Sequence, residues 1–278
     1  MNTIEMKNSE NAVLLIHGLS SSPLEMMSCA KALYNAGFSI RVPHYATFGI
    51  NSNDPHRGAI EPWEKWREEL HHDFRQMKKE YNKIFVVGLC LGAILALDLV
   101  LAFDDEITAL ALLSTPFFCD GWAIPWWYQK LVPLVGSTPL RKFLYYEEKE
   151  PYGVKNEAMR KVIKMAMQRY KTSSAGSAKI SLVGVHEAYL LTKQVKKSLS
   201  KISHPLLVIH AEEDETASVR NVDFIQKNIQ STNLRIRLLQ NSYHMITLDN
   251  EKEAVASEVI DFFSEKINSP ESKNVSEV

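Results

Sequence analysis

Short apolar runs alternate with longer segments of helical pattern along most of the chain. The apolar runs have the length and composition of buried strands. They predict strands at Ala12–Ile16, Phe38–Val42, Ile84–Val87, Thr108–Leu113, Leu206–Ile209 and Leu234–Leu239. The segments between them predict helices at Pro23–Asn35, Pro62–Tyr81, Ala93–Phe103, Val219–Ile229 and Lys252–Ile267. This alternation predicts an α/β fold with a mostly parallel central sheet and helices on both faces.

The alternation stops after the fourth predicted strand and resumes at the fifth. The interruption opens with a cluster of aromatic residues: Phe117, Phe118, Trp122, Trp126, Trp127 and Tyr128. Helical patterns follow at Asn156–Lys171 and Val185–Leu199. The small residues 173–178 between them predict a loop. We therefore expect an inserted, mostly helical cap over residues 116–205, on a core formed by residues 1–115 and 206–278.

One apolar stretch is long enough to imitate a membrane span. Residues 84–103 are twenty positions with a single charge, Asp98, which matches the length of a transmembrane helix. Gly88 and Gly92 divide this stretch into a β-branched part and a part rich in leucine and alanine. A buried strand followed by a buried helix explains the same apolarity, so we predict no membrane span. The N-terminal residues lack the apolar core of a secretory signal, and we expect a cytoplasmic protein.

Composition and charge narrow the classes of function. The 278 residues are 45% hydrophobic and 23% charged, which is typical of a globular protein. Lys and Arg number 32 against 33 Asp and Glu, and the net charge of −1 argues against a surface devoted to nucleic acid. Residues 151–201 nevertheless hold eleven basic and two acidic side chains, a net charge of +9 against −10 elsewhere. A solvated helical face is the simpler interpretation, and a landing surface for an anionic partner or substrate tail is the alternative.

The sequence Gly88-Leu89-Cys90-Leu91-Gly92 lies between a predicted strand and a predicted helix. This is the context of a nucleophile elbow, a sharp turn that needs small residues on either side of the nucleophile. The N-terminus of the following helix would stabilise an anion at Cys90. The alternative is that Cys90 is a small buried core residue, as free cysteines often are. The two flanking glycines favour the nucleophile.

Four further stretches stand out along the chain: AVLLIHGLSSSP, VVGLCLGAILAL, LLVIHAEEDETASVRN and NSYHMITLDNEKEAV. Together and in this order they resemble the α/β-hydrolase superfamily, and within it small bacterial carboxylesterases and monoacylglycerol lipases. The resemblance implies an α/β-hydrolase fold with an inserted helical cap. The usual nucleophile of these enzymes is serine, and this chain has Cys90 at that position.

The resemblance and the chemistry select the same partners for Cys90. A nucleophile needs a base, and His244 lies after a predicted strand and before the last helix, where the superfamily has its histidine. The base needs an orienting carboxylate, and the superfamily's pattern assigns this role to Asp214. The neighbouring acids Glu212, Glu213 and Glu215 are within range by distance along the chain, and we expect them to face solvent.

The other histidines are weaker candidates for the base. His71 and His72 lie on the polar helix, His210 ends an interior strand, and His186 lies in the cap. His186 could line a substrate pocket, although a structural histidine is the simpler interpretation.

Two backbone amides are expected to bind the oxyanion. One belongs to Leu91, the residue after the nucleophile. The other belongs to Leu19, because His17-Gly18-Leu19 matches the superfamily's His-Gly motif. A simple tight turn is the alternative interpretation of His17 and Gly18.

The cap is expected to supply the pocket. Trp122, Trp126 and Trp127 would form an apolar wall for an acyl or aromatic group, or would pack the cap onto the sheet. The three cysteines, Cys29, Cys90 and Cys119, match no zinc pattern or disulfide framework, and we expect no metal or redox cofactor.

These residues predict hydrolysis of a carboxylic ester or thioester through an acyl-Cys90 intermediate. An acyl-thioester is also reactive toward alcohols and amines. The first alternative is therefore an acyltransferase or thioesterase whose basic cap docks acyl carrier protein or coenzyme A. The second is a ligand-binding protein that has the fold without catalysis.

Overall fold

The computed structural model describes residues 2–50 and 60–268. Seven strands form its main sheet, and four short strands form two small ribbons. The strands are β1 Ile4–Met6, β2 Asn11–Ile16, β3 Ser39–Val42, β4 Lys83–Leu89, β5 Ala109–Leu113, β6 Tyr145–Glu147, β7 Thr172–Ser173, β8 Gly176–Ser177, β9 Lys179–Ser181, β10 Leu206–Ala211 and β11 Leu234–Leu239. The helices are α1 Met27–Asn35, α2 Trp63–Glu80, α3 Leu91–Ala102, α4 Tyr128–Gly136, α5 Glu157–Tyr170, α6 Leu182–Lys196, α7 Arg220–Asn228 and α8 Lys252–Asn268.

The main sheet has the strand order β1-β3-β2-β4-β5-β10-β11. All neighbours pair in parallel except β1, which runs antiparallel to β3 at the edge. This confirms the predicted mostly parallel sheet. The six predicted strands are present with small shifts of their ends. The edge strand β1 was not predicted, because its three residues are only partly buried and form no apolar run.

Helices cover both faces of the sheet, as predicted. Alternate residues of β2 point to opposite sides, so Leu14 and Ile16 pack in one core while Val13 and Leu15 pack in the other. Helices α2, α3, α6 and α7 contribute to the first core, and α1, α5 and α8 contribute to the second. Helix α3 is buried on nearly every side, which explains why its sequence is apolar throughout.

Residues 84–103 divide into β4 and α3, as the two glycines predict. Among the described residues, no helix combines the length and the apolarity that a membrane crossing requires.

The segment between β5 and β10 contains α4, α5, α6 and the two ribbons. The predicted loop over residues 173–178 is partly wrong, because β7 and β8 pair as a ribbon there. Strands of two small polar residues give no apolar signal. The division of the chain into a core and a cap stays a prediction. Residues 269–278 of the predicted core lie outside the described residues.

This inserted segment reaches the loop after β2 at two points. The Ser177 amide donates to the Ser20 carbonyl at 2.9 Å. A Cβ atom built on Gly184 of α6 would lie 3.1 Å from Leu19 Cδ1. The segment is therefore packed directly on residues 19 and 20.

Candidate active site

Cys90 lies in a sharp turn between the last residue of β4 and the first residue of α3. Its backbone has φ 54° and ψ −121°, a left-handed conformation that costs energy for a residue with a side chain. The Cys90 amide donates to the Leu113 carbonyl of β5 at 3.0 Å, which ties the turn to the neighbouring strand. The thiol is partly exposed at this turn.

The two flanking glycines are required by the close approach of backbone segments. A Cβ atom on Gly88 would lie 2.2 Å from the Gly92 carbonyl oxygen, and one on Gly92 would lie 2.1 Å from the Ile16 carbonyl oxygen. Neither gap admits a side chain. The glycines at positions 88 and 92 are therefore a steric requirement of this turn.

The two predicted oxyanion donors flank the Cys90 turn. Leu91 is the first residue of α3, where a helical amide has no partner within its own helix. Leu19 follows Gly18, on which a Cβ atom would lie 3.3 Å from Cys90 Cβ. Within residues 2–50 and 60–268, neither amide donates to a protein acceptor. Their role in binding an oxyanion stays a prediction.

His244 and Asp214 form a buried pair at the ends of neighbouring strands. The His244 Nδ1 atom lies 2.8 Å from Asp214 Oδ2 and 3.0 Å from Oδ1. Asp214 is fixed in turn, because its Oδ1 accepts from the amides of Thr216 at 2.9 Å and Ala217 at 2.8 Å. The carboxylate therefore fixes the orientation of the imidazole ring.

The electrostatics of the imidazole link it to Cys90. Burial by itself would lower the pKa of His244, but the negative charge of Asp214 and the electrostatic interaction with Cys90 outweigh burial. The pKa of His244 is raised well above its ordinary value. Burial would raise the pKa of Asp214, and the charge and hydrogen bond of His244 lower it instead. The structure thus brings Cys90, His244 and Asp214 together.

Sequence reasoning missed two neighbours of this triad. His210 is fully buried, and its Nε2 atom lies 3.4 Å from Asp214 Oδ2 and 2.6 Å from the Ala217 carbonyl oxygen. The expectation that Glu215 faces solvent is wrong, because it is buried and its Oε2 atom accepts from the His244 amide at 3.0 Å. The turn after β10 folds Glu215 inward beside Asp214. Glu212 and Glu213 are exposed, as predicted.

Asp249 links the loop that carries His244 to the inserted segment. Its buried carboxylate accepts from the amides of Tyr243 at 2.8 Å and Asn250 at 2.9 Å in that loop. It also accepts from the amides of Lys155 at 2.7 Å and Asn156 at 2.8 Å, at the start of α5. One side chain therefore fixes both segments to each other.

Among the described residues, the predicted pocket residues make no hydrogen bond to Cys90, His244 or Asp214. All three tryptophans are exposed, and Trp126 is 76% exposed. Trp122 donates from Nε1 to the Glu213 carbonyl at 3.1 Å and packs edge-on against Tyr243. His186 is buried on α6 against Gly136 of α4. A pocket role for these four residues stays a prediction.

The two histidines of α2, which were weaker candidates for the base, take no part in the triad. His71 pairs with Asp98 at 3.6 Å, and His72 is exposed. Across the described part of the chain, no group of three His, Cys, Asp or Glu side chains is arranged to hold a metal ion.

Sequence reasoning also missed Glu25, which lies in a short 3-10 helix, Pro23–Met26, just after the Leu19 loop. The side chain is 1% exposed. Its carboxyl group accepts hydrogen bonds from the Gly18 amide and the Ser21 hydroxyl. Burial raises the pKa of Glu25 to about 7.

The raised pKa predicts a pH-dependent effect of Glu25→Gln on stability. The folded state holds the Glu25 proton more tightly than the unfolded chain does. The protonated carboxyl group therefore contributes fully to stability below about pH 4.5, and this contribution is lost as the pH rises through about 7. Glutamine is neutral throughout. At pH 8 we expect Glu25→Gln to increase the free energy of unfolding by at most about 3 kcal/mol, and therefore to raise Tm. At pH 4.5 we expect Tm to be unchanged.

Thermal unfolding at the two pH values measures this difference. Glu80→Gln is the control, because Glu80 is an exposed surface partner of Lys7 and its replacement should matter little. A lower Tm of Glu25→Gln at pH 8 would contradict the prediction, since it would mean that the ionised carboxylate stabilises the fold.

Comparisons with known proteins agree with this fold and with the resemblance. The sequence profile of the Hydrolase_4 family, described as serine aminopeptidase S33, matches residues 7–253. A thermostable monoacylglycerol lipase of Bacillus sp. (strain H-257) is 26% identical over 261 residues, which cover 93% of this chain and 92% of the lipase. A carboxylesterase of Bacillus subtilis (strain 168) is 22% identical over 258 residues, which cover 92% of this chain and 93% of that enzyme.

Two solved structures illustrate the structural similarity. One comes from work on LipS and LipT, two metagenome-derived lipolytic enzymes, and superposes with a TM-score of 0.79 at 19% identity, covering 95% of this chain and 97% of the other. The second is the monoacylglycerol lipase of Paleococcus ferrophilus, with a TM-score of 0.76 at 15% identity, covering 95% and 98%. These similarities confirm the predicted α/β-hydrolase fold.

Proposed function

The chain belongs to the serine aminopeptidase S33 (Hydrolase_4) family and has the α/β-hydrolase fold, and from this premise we propose that it is a carboxylic ester hydrolase whose nucleophile is Cys90. The observation that carries the proposal is the buried His244–Asp214 pair, 2.8 Å apart, whose imidazole interacts electrostatically with Cys90 at the N-terminus of α3. A thiol beside a histidine can pass its proton to the imidazole, and the sulfur then acts as a strong nucleophile.

The geometry supports a two-step reaction. His244 takes the proton of the Cys90 thiol, and the sulfur attacks the ester carbonyl carbon. The carbonyl electrons move to oxygen, and the resulting oxyanion accepts hydrogen bonds from the Leu19 and Leu91 amides. When the intermediate collapses, the leaving alcohol takes the proton from His244 and the acyl group stays on sulfur as a thioester.

The second step returns the enzyme to its starting state. His244 removes a proton from water, and the hydroxide attacks the thioester carbonyl. The carbon–sulfur bond breaks, the free acid leaves, and the Cys90 sulfur recovers its proton from His244. Asp214 holds the imidazole in one orientation and stabilises its positive charge throughout.

We propose that the preferred substrates are esters with an apolar acyl chain, such as monoacylglycerols. The names of the relatives support this class. A second support is a run of large apolar side chains that the protein leaves exposed: Trp126, Trp127, Leu131, Leu134, Leu140, Phe143 and Leu144. Residues 121–146, which contain them, include no acidic residue. Such a surface is compatible with substrates that gather in apolar aggregates.

Thioesterase or acyltransferase activity on a carrier-bound acyl group is the second candidate. It is favoured by the net charge of +9 over residues 151–201. Lys155, Lys164 and Lys179 already pair with acidic residues of the same chain, which leaves fewer charges for an anionic carrier. If a carrier docks here, added salt lowers kcat/KM for acyl carrier protein or coenzyme A thioesters and leaves simple esters unaffected.

The direct test is mass spectrometry of the protein, quenched in acid after seconds of contact with a panel of acyl esters and thioesters. We expect the mass of one acyl group on the peptide that contains Cys90, removable by neutral hydroxylamine as thioesters are. Two outcomes would contradict the proposal. In the first, free acid accumulates while the acyl group is found on another residue. In the second, free acid accumulates without any adduct and a Cys90→Ala variant is equally active. Absence of any turnover across the panel would favour a ligand-binding protein.

A further inference from the structure

The loop that carries the Leu19 amide is held by a carboxyl group outside the triad. Leu19 lies between Gly18 and Ser21, and both of these residues donate hydrogen bonds to Glu25. Gly18 donates its backbone amide to Oε1, and Ser21 donates its hydroxyl to Oε2. The two oxygens of one side chain thus bridge the two ends of the segment that contains Leu19.

The orientation of the Leu19 amide follows from the peptide group that it shares with the Gly18 carbonyl. Because a trans peptide is planar, its N–H and its C=O point in opposite directions. The Gly18 carbonyl accepts from His17 Nδ1 at 2.9 Å, and His17 Nε2 accepts from the Tyr45 amide at 3.3 Å. Burial lowers the pKa of His17 to about 4, so the ring is neutral and can serve both contacts at once.

The other backbone hydrogen bonds of this loop are made by residues that follow Leu19 in the chain. The Ser20 amide donates to the Phe48 carbonyl at 2.7 Å, and the Ser21 carbonyl accepts from the Ile50 amide at 2.7 Å. In the described residues, Glu25 is the acceptor for the Gly18 amide, immediately before the shared peptide group. His17 and Glu25 therefore fix Gly18 on its carbonyl and amide sides, and the Leu19 N–H donates to no acceptor within residues 2–50 and 60–268.

We propose that Glu25 is a positioning residue that holds the Leu19 amide in the direction of the oxyanion. This inference rests on the proposed function. A simpler role is that Glu25 only satisfies a buried amide and hydroxyl, in which case its loss lowers stability without a selective effect on acyl chemistry. The two roles differ in what they predict for steps that do and do not form an oxyanion.

Two conservative variants separate the effect of the length of the side chain at position 25 from the effect of its charge. Glu25→Asp keeps the charge but is one methylene shorter, so it cannot bridge Gly18 and Ser21. Glu25→Gln loses the charge but keeps the length, since its amide oxygen can accept from Gly18 and its amide N–H can donate to Ser21 Oγ. For positioning, we expect Glu25→Asp to lower kcat about 10- to 100-fold with KM within about 3-fold, because a displaced oxyanion donor costs most of its contribution. We expect Glu25→Gln to recover at least about 10-fold of that loss.

The control reaction is alkylation of Cys90 by iodoacetamide, which needs the thiolate but forms no oxyanion. We expect the alkylation rate of Glu25→Asp to stay within about 3-fold of the native protein while acylation by an ester slows. A folded Glu25→Asp with native kcat overturns the proposal. So does an equal fall in alkylation and acylation, and so does a Glu25→Gln variant that loses as much kcat as Glu25→Asp.

A separate measurement keeps this test independent of the proposed function. Hydrogen exchange over residues 17–22 reports the order of the loop whether or not the protein turns over esters. We expect faster exchange there in Glu25→Asp than in Glu25→Gln, and equal exchange in both overturns the proposal. If the native protein turns over no ester or thioester while the exchange differs as expected, the proposed function has failed and the positioning of the loop by Glu25 stands.

Discussion

Cys90→Ala is expected to lower kcat for ester hydrolysis by a factor on the order of 10³ or more. Removing the nucleophile of a comparable triad costs up to about 10⁶-fold, and what survives comes from oxyanion stabilisation and binding. His244 and Asp214, 2.8 Å apart in the native protein, are expected to stay paired in this variant, because neither hydrogen bond between them uses Cys90. The loss should therefore appear in kcat, with the fold and Tm close to native.

Cys119→Ala is the matched control for this measurement. Burial raises the pKa of the Cys119 thiol to about 12, so it is protonated at neutral pH and reacts poorly with iodoacetamide. We expect Cys119→Ala to keep native kcat and native labelling, and Cys90→Ala to lose both. A Cys90→Ala variant with native kcat would exclude Cys90 as the nucleophile.

Cys90→Ser adds a test of the turn itself. A hydroxyl at this position is closer to the usual nucleophile of the superfamily, and it depends more strongly on His244 for its activation. Simple esterase activity clearly above that of Cys90→Ala would support a turn suited to acyl chemistry with either nucleophile.

Gly92→Ala is expected to have the largest effect on stability, at least about 4 kcal/mol, so that little folded protein is recovered. The added Cβ atom would lie 2.1 Å from the Ile16 carbonyl oxygen and 2.9 Å from that of His17. Both contacts are backbone atoms at the end of the inner strand β2, and they cannot move away as a flexible side chain would. Relief would require α3 to separate from β2.

Gly184→Ala is the control for Gly92→Ala, since it makes the same substitution in another buried helical position. Its Cβ atom comes closest to the end of the Leu19 side chain at 3.1 Å, which can rotate, and it lies at ordinary contact distance, 3.6 Å, from the Ile60 side chain. The helix gains up to about 1 kcal/mol from losing a glycine. Urea unfolding of the two variants should therefore differ by several kcal/mol, and a native-like midpoint for Gly92→Ala would contradict the steric account.

The core of the fold could be predicted because its signals are local. Most inner strands are dominated by apolar residues, as Ala109–Leu113 shows. The helix start at Pro23 could be predicted from Ser22, whose side chain accepts from the Leu24 amide. The position of Cys90 followed from two glycines, and the structure gives the physical reason for them.

The inward-facing acids could not be predicted, because nothing local distinguishes them from surface acids. Glu215 lies in a run of four acidic residues, and Glu25 lies in the first turn of a helix, where exposed acids are common. Each is buried by contacts with residues distant in the chain or by the path of a loop: Glu215 by the His244 amide and Glu25 by Gly18. Buried polar contacts of this kind depend on tertiary structure and leave no periodic pattern.

The shape of the turn at Cys90 has an evolutionary consequence. Gly88 and Gly92 create the space for the left-handed backbone, and the backbone bonds of the turn are made by the amide and carbonyl of residue 90. The side chain at that position is therefore not what maintains the turn. Cysteine and serine codons differ by a single nucleotide, so a lineage with this backbone can exchange sulfur for oxygen in one mutational step without rebuilding its scaffold.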